Sequence, residues 1–209
     1  MHAIVVILPI LIVLVVILKI LDSSKVFTGF LGEQGVRSEL KRLDETKYHI
    51  INDLMIPNSR GNGTSQIDHV VVSNFGVCAI ETKNWAGRVF GKGSEPRWTV
   101  VLGRNKYRKE NPIVQNLGHI KALCALLGND VQCYNIVVFG GRADLHISDL
   151  GEASVIRLGK VARTIRAIES AVLNDEQANQ IHQRLLAANI TDPEARKQHV
   201  ATIKQRFHG

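Results

Sequence analysis

The chain opens with an almost unbroken apolar run, and after this run helix and strand periods alternate. Residues 3–18 contain no polar side chain. A spanning helix needs roughly 20 apolar residues, so the pattern predicts a transmembrane anchor over residues 1–21, embedded through residues 3–21, and a tether over 22–28. A removed signal peptide is a less favoured alternative, because no Lys or Arg precedes the run. A buried helix that is apolar on every face would need a larger core than the remaining chain offers.

Positive charges lie on one side of this predicted anchor. No lysine or arginine precedes it, and five follow it closely: Lys19, Lys25, Arg37, Lys41 and Arg42. The positive-inside rule therefore predicts a single-pass membrane protein with its N-terminus outside and its soluble domain in the cytoplasm. The three cysteines, Cys78, Cys124 and Cys133, are odd in number and lie in apolar segments. A disulfide framework is not expected from such a pattern.

Beyond the tether, the hydrophobic pattern predicts an α/β fold. The predicted elements are a helix over 32–43, strands over 48–56, 66–73 and 77–84, a helix over 112–127 and a strand over 134–139. Apolar residues recur at helical spacing in the helices, and β-branched residues dominate the strands. A second hairpin is predicted over 88–102. The stripe assigned to the core side of the second helix is Ile113, Leu117, Ile120, Cys124 and Leu127.

The pattern is less informative after Gly141, and residues 142–209 are predicted to be a C-terminal strand and helical extension. A strand over 153–158 and a helix over 161–172 are expected, followed by helices capped by Asn174 and Thr191. The last helix is basic, with a thin apolar stripe. It could pack loosely, bind a partner, or reach toward membrane or nucleic acid.

Charged residues at the end of an apolar hairpin are the strongest chemical signal. Glu81 and Lys83 point to the same face of a strand, and a connecting loop with an even number of residues would bring Asp68 onto that face. Charges in such a place must pair or bind a metal, and two carboxylates suit a hard cation such as Mg²⁺ or Mn²⁺. A structural ion pair of Lys83 with one carboxylate explains the pattern equally well.

Composition gives little information about the chemical class of the binding partner. The net charge of +7 and the pI near 9.5 suit an anionic partner. This partner could be nucleic acid or anionic lipid, and a solvated basic surface is the simplest alternative. Aromatic residues are few and are not interleaved with basic ones, so no platform for stacking unpaired bases is expected. A phosphate-binding loop and a zinc site of the Cys-x-x-Cys type are both missing from the sequence.

Several separate blocks carry a family resemblance. They are Gly32-Glu33, Asn52-Asp53, Ile56-Pro57, Gln66-Ile67-Asp68-His69, Gly76-Val77, Ile80-Glu81-Thr82-Lys83-Asn84, Gly87, Trp98, Asn111 to Asn116, and His119-Ile120. In this order they resemble the NERD (nuclease-related domain) family of the PD-(D/E)xK nuclease superfamily. The likeness runs from about residue 29 to 128 and implies a NERD-like core over 29–141. The implied fold is a restriction-endonuclease-like core (helix, three strands, helix, strand) behind the N-terminal transmembrane helix, with C-terminal helices.

The resemblance also implies a chemistry and a site. The expected activity is Mg²⁺-dependent (or Mn²⁺-dependent) hydrolysis of phosphodiester bonds in DNA or RNA, with Asp68 and Glu81 as metal ligands. Lys83 would orient water or stabilise charge, Gln115 would face the site, and Glu33 would complete the acidic cluster, with Glu39 as a rival on the same helix. His119 is expected to face solvent instead. The alternative is a catalytically silent, membrane-tethered module that binds nucleic acid or protein on the same fold.

Overall fold

The computed structural model describes residues 29–208, so the predicted anchor and tether lie outside the described residues. Across this described part, no helix is both long and apolar enough to cross a membrane. The longest helices of this part, Pro112–Leu127 and Pro193–His208, have 16 residues each, fewer than the roughly 20 that a span needs. This finding stands against the predicted single-pass localisation with a cytoplasmic domain, and that prediction is corrected accordingly.

The described chain is a mixed α/β fold with two sheets and five helices. The strands are β1 (His49–Pro57), β2 (Thr64–Ser73), β3 (Gly76–Lys83), β4 (Gly87–Lys92), β5 (Arg97–Leu102), β6 (Asn105–Glu110), β7 (Cys133–Phe139), β8 (Ala143–Ser148) and β9 (Ser154–Arg157). The helices are α1 (29–40), α2 (Pro112–Leu127), α3 (Val161–Arg166), α4 (Asp175–Ala188) and α5 (Pro193–His208). The predicted order of helix, three strands, helix and strand is present as α1, β1 to β3, α2 and β7.

The main sheet has the strand order β1-β2-β3-β7-β9. β1, β2 and β3 are antiparallel, whereas β3, β7 and β9 are parallel. Asn74 and Phe75 alone connect β2 to β3, and this two-residue loop sets a register in which His69 faces Ile80. The next step of the same register puts Asp68 opposite Glu81, as an even loop requires.

Helices cover both faces of this sheet. Val71 of β2 lies in one core cluster with Leu40 of α1 and with α3. Val70 points to the opposite face, as the alternation of strand side chains requires, and packs with Leu123 of α2 and Leu185 of α4. Residues of the C-terminal part of the chain, in β9, α3 and α4, therefore contribute to the same sheet and the same cores as the residues before Gly141.

A second sheet has the order β6-β5-β4-β8. β4, β5 and β6 lie between β3 and α2 along the chain, whereas β8 follows β7. The predicted hairpin over 88–102 is found as β4 and β5. The sequence pattern did not indicate β6 or β8. All six side chains of β6 are exposed, so no alternation of apolar and polar residues marks it as a strand.

The helices α1, α2 and α3 differ from their predicted form. α1 covers residues 29–40, three residues earlier at each end than the predicted 32–43. α3 ends at Arg166 instead of continuing to Val172, because the chain turns back and the Val172 N–H donates to the Asn74 carbonyl, 2.9 Å away. On α2, Leu117 was assigned to the core but is 44% exposed. Asn116, one residue earlier, is fully buried and donates to the Ala79 carbonyl at 2.8 Å.

The segment after α4 covers the open edge of β1. The Ile190 N–H donates to the Met55 carbonyl at 2.7 Å, and the Met55 N–H donates to Asn189 Oδ1 at 3.0 Å. Arg196 of α5 donates to Asp53 Oδ2 at 2.7 Å and to the Asp53 carbonyl at 3.1 Å. Asp53 has a φ of 58°, a conformation that non-glycine residues rarely adopt. Arg196 therefore stabilises an unusual backbone position in the edge strand.

Candidate active site

Two carboxylates meet at the end of the β2–β3 hairpin. Asp68 lies across from Glu81 in the antiparallel register, so the two side chains share the sheet face that α2 covers. The Thr82 N–H donates to Asp68 Oδ2 at 2.7 Å, which fixes the Asp68 carboxylate against β3. Glu81 is only 3% exposed. The local pattern of the hairpin is therefore what brings the two acids together.

Lys83, Glu81 and Gln115 form a closed triangle of hydrogen bonds. Lys83 Nζ donates to Glu81 Oε1 at 2.6 Å and to Gln115 Oε1 at 2.9 Å. Gln115 Nε2 donates in turn to Glu81 Oε1 at 2.9 Å. The structure thus brings three of the predicted site residues into direct contact, with Asp68 on the neighbouring strand.

The start of α2 is held so that Gln115 reaches this triangle. Asn111 caps the helix by accepting from the Ile113 N–H at 2.9 Å, and Pro112 occupies a favourable first-turn position. The Asn111 amide also donates to the carbonyls of Gly93 and Glu95, at 2.9 and 2.7 Å. One buried side chain therefore ties the first turn of α2 to the β4–β5 loop.

His119 lies at the site, which contradicts the expectation that it faces solvent. Its Nε2 is 3.3 Å from Glu81 Oε2, and its Nδ1 is 2.7 Å from Ser65 Oγ. The contact with Glu81 is close but is not aligned as a hydrogen bond. His119 follows Gln115 by four residues, so the two share one face of α2. This spacing could have predicted its position, whereas Ser65 has no comparable signal in the sequence.

The charges of the site influence one another through a buried environment. Burial favours the neutral form of Glu81, but the Lys83 ammonium and the nearby His119 outweigh it and lower the pKa of Glu81 well below its usual value. Burial, followed by the negative charge of Glu81, raises the pKa of Asp68 well above its usual value. For Lys83, burial is outweighed by the charge of Glu81, and its pKa is raised. The surroundings therefore shift the pKa values of these two carboxyl groups in opposite directions.

Glu33 lies at the margin of the site, and Glu39 does not. The pKa of Glu33 is raised by burial, partly offset by Arg37, with smaller contributions from the charges of Asp53 and Glu81. Glu39 instead pairs with Arg42, 2.8 Å away. Of the two candidate glutamates on α1, Glu33 is therefore the one whose pKa is influenced by the charge of Glu81. Asp53, held by Arg196, is a further carboxylate at this end of the sheet.

The side chains around Asp68 and Glu81 fit a magnesium site that water and phosphate complete, but they do not fit a closed zinc site. Within residues 29–208, no group of three or more His, Cys, Asp or Glu side chains is placed to hold a metal ion. Mg²⁺ is commonly bound by one or two carboxylates, with water and substrate phosphate as the other ligands. Glu81 Oε2 is buried and accepts no hydrogen bond from the described residues, so a carboxylate oxygen is available there. A closed, all-protein site of the zinc type does not fit.

A cavity of about 310 Å³ opens beside the triangle. Its lining residues are Lys83, Trp85, Arg97, Arg108, Lys109, Glu110 and Gln115. Lys109 Nζ lies 5.1 Å from the centre of the Trp85 ring. The sequence pattern did not indicate that Trp85 lies among basic residues, because Trp85 and Lys109 are 24 positions apart and only the packing of the second sheet brings them together.

A family model and a bacterial protein match this chain. The family model of the nuclease-related domain (NERD) matches residues 28–140. An uncharacterized protein of Bacillus anthracis is 30% identical over 181 residues, which cover 86% of this chain and 85% of that protein. No solved structure matches the chain.

Proposed function

The chain belongs to the nuclease-related domain family, within the PD-(D/E)xK-like superfamily, and on this premise we propose that it is a divalent-metal-dependent nuclease. The reaction would be hydrolysis of phosphodiester bonds in nucleic acid on a restriction-endonuclease-like core. The observation that carries the proposal is the triangle of Lys83, Glu81 and Gln115, of which Lys83 and Gln115 line an open cavity. Charged groups buried in this way at the edge of a cavity are typical of functional sites.

The position of each residue supports a proposed role. Asp68 and Glu81 would hold Mg²⁺ or Mn²⁺, which lowers the pKa of bound water and offsets charge on the phosphate when it is present. Lys83 would stabilise the negative charge that develops on the phosphate. Gln115 holds the Lys83 ammonium toward the cavity through its Oε1, 2.9 Å away. Glu33 would add negative charge at the margin of the site.

A catalytically silent module that binds nucleic acid or protein is the second candidate. The observation that favours it is the closed triangle itself, because Glu81 Oε1 already accepts two hydrogen bonds. Such a side chain must exchange partners before it can serve a metal with that oxygen. The free Oε2 atom argues for catalysis, and the occupied Oε1 atom argues for a structural ion pair.

A cleavage assay on the full chain tests the proposal directly. Labelled DNA and RNA are incubated with the protein in Mg²⁺, Mn²⁺ or EDTA, beside Asp68→Asn, Glu81→Gln and Lys83→Met variants. Cleavage should need the metal and should fall about 100-fold or more in each variant, since each removes a group that acts in the transition state. Glu39→Gln is the matched control on α1, and its cleavage rate should equal that of the wild type. Cleavage that persists in all three site variants would exclude this site.

Metal-dependent melting separates the two candidates when no cleavage is seen. A divalent ion that binds only the folded protein stabilises it by about 2.7 kcal/mol at a concentration 100-fold above its Kd. For a domain of this size the melting temperature should then rise by roughly 5 to 11 °C. The Asp68→Asn and Glu81→Gln variants should lose this rise. An identical melting temperature in millimolar Mg²⁺, millimolar Mn²⁺ and EDTA would favour the silent module.

A further inference from the structure

A basic strand borders the candidate site, and the proposed chemistry does not use it. From residue 97 to residue 109 the chain carries five cations and no carboxylate: Arg97, Arg104, Lys106, Arg108 and Lys109. β6 holds three of them and forms one edge of the second sheet. Exposed lysines commonly protect edge strands against pairing, but this explanation does not require arginines in the wall of a cavity.

The strand register gathers these cations on one surface. Thr99 faces Arg108 and Arg97 faces Glu110 across the β5–β6 ladder, while Arg88 of β4 faces Val101. Residues that are opposite or two apart in antiparallel strands point to the same face. Arg88, Arg97 and Arg108 therefore share the solvent face of the second sheet. Arg108 is also oriented, because its Nη1 donates to Thr99 Oγ1 at 2.9 Å.

This surface leads into the cavity that Lys83 and Gln115 line. Arg97 and Arg108 occur in both, so the basic face and the cavity are continuous. Trp85 lies in the same wall and is partly exposed. A cavity of about 310 Å³ lies in the size range of small-ligand sites, which suits one nucleotide unit of an unpaired strand. Arginine and a neighbouring aromatic ring are the groups that proteins use to hold unpaired nucleotides.

From this arrangement we propose that the cleft binds a single strand of nucleic acid, with Arg97 and Arg108 on its phosphates and Trp85 against a base. The proposal rests on the nuclease function proposed above and names its substrate class. The strand would run from the basic face of the second sheet to Lys83. Glu110 also lines the cleft, and its negative charge opposes the phosphates. Its removal should therefore tighten binding.

Fluorescence anisotropy in EDTA tests this binding without cleavage. The probe is a labelled single-stranded DNA or RNA oligonucleotide, and the protein is the full chain. The Arg97→Gln, Arg108→Gln double variant should bind about tenfold more weakly or worse. Two lost phosphate contacts should also lower the slope of log affinity against log salt by about 1.4 for a single strand. Glu110→Gln should bind more tightly than the wild type.

The matched control removes two positive charges elsewhere. Lys160 and Arg163 are exposed just before and within α3, which packs against the other face of the main sheet. The Lys160→Gln, Arg163→Gln variant has the same net charge as the test variant and should keep the affinity and salt slope of the wild type. Equal weakening in both double variants would show attraction by net charge alone and would overturn the proposal.

Tryptophan fluorescence reports on the base. The chain has two tryptophans, and Trp98 is fully buried, so a bound oligonucleotide should quench Trp85. Trp85→Phe should abolish the quenching and weaken binding. A duplex that binds more tightly than the single strand, without quenching, would overturn the proposal. Binding without any cleavage would refute the nuclease function and leave this inference standing. Cleavage together with unchanged affinity in the arginine variant would refute this inference and leave the nuclease function standing.

Discussion

Replacing Lys83 by alanine should destabilise the folded protein strongly, because it leaves Glu81 buried and unpaired. The side chains of Lys83 and Glu81 are 18% and 4% exposed, so the pair is a buried one. The pKa of Glu81 is lowered from 4.5 to about 2, which corresponds to about 3 kcal/mol at 1.36 kcal/mol per pH unit. Breaking a buried ion pair by removing one partner typically costs about 3–5 kcal/mol. Gln115 and His119 still contact Glu81, so the lower end of that range is expected.

The pH dependence of this loss has a definite sign. A carboxylate with a lowered pKa stabilises the folded state above its unfolded pKa, and this contribution disappears as the pH falls through the folded pKa. The difference between wild type and Lys83→Ala should therefore be largest above pH 4.5 and should shrink as the pH approaches 2. The Lys83→Ala, Glu81→Gln double variant should recover most of the stability, because no charge is then left unpaired.

Urea unfolding of the full chain at pH 7 and pH 3.5 measures the free energy, and a thermal melt at pH 7 measures the melting temperature. A loss of about 3 kcal/mol should lower the melting temperature by roughly 6 to 12 °C in a domain of this size. Lys121→Ala, at an exposed position of α2, is the control and should change little. If Lys83→Ala were as stable as the wild type at pH 7, or equally destabilised at both pH values, the reasoning about a buried ion pair would be refuted.

Four further variants have expected outcomes that urea unfolding can check. Asp68→Asn should be more stable than the wild type at pH 8 in EDTA, since the raised pKa of Asp68 means that its charged form destabilises the fold, and equal stability would contradict this. The free energy of unfolding of the wild type should fall by about 2 kcal/mol from pH 7 to pH 5, because His69 is fully buried and burial lowers its pKa to about 4. The His69→Gln variant should lack this loss. Gly91→Ala should destabilise by about 1–3 kcal/mol because its Cβ would meet the buried Trp98 ring, whereas Gly118→Ala, with open space around it in α2, should stabilise by about 0.5–1 kcal/mol.

The sequence was sufficient to predict the hairpin that carries the acids. Two β-branched runs joined by a tight turn have few possible registers, and the two-residue loop at Asn74 and Phe75 leaves Asp68 opposite Glu81. The first residues of the helices could also be predicted, because helix capping depends on local sequence. Asn174 accepts from the Gln177 N–H as expected. The cap of α5 is Asp192 instead of Thr191, since its carboxylate accepts from the Ala195 N–H at 2.8 Å.

Features that depend on the second sheet could not be read from the sequence. β6 has no buried side chain, so hydrophobic periodicity does not reveal it. The closeness of Trp85 and Lys109 depends on where β6 lies relative to the end of β3. His119 is expected to face solvent, yet the α2 face that carries Gln115 also carries His119 to Glu81.

The cover over β1 has a consequence for protein synthesis. Asp53 and the Arg196 that holds it are 143 positions apart in the chain, and Asn189 and Ile190 meet Met55 across a similar distance. At 5–20 residues per second, a ribosome needs roughly 7 to 29 s to make the stretch between Asp53 and Arg196. Once β2 has also been made, the nascent chain can form the hairpin of β1 and β2 with an open strand edge for the rest of this interval. Chaperones that recognise exposed strands would be able to bind this edge until the segment from Asn189 to Arg196 leaves the ribosome and covers it.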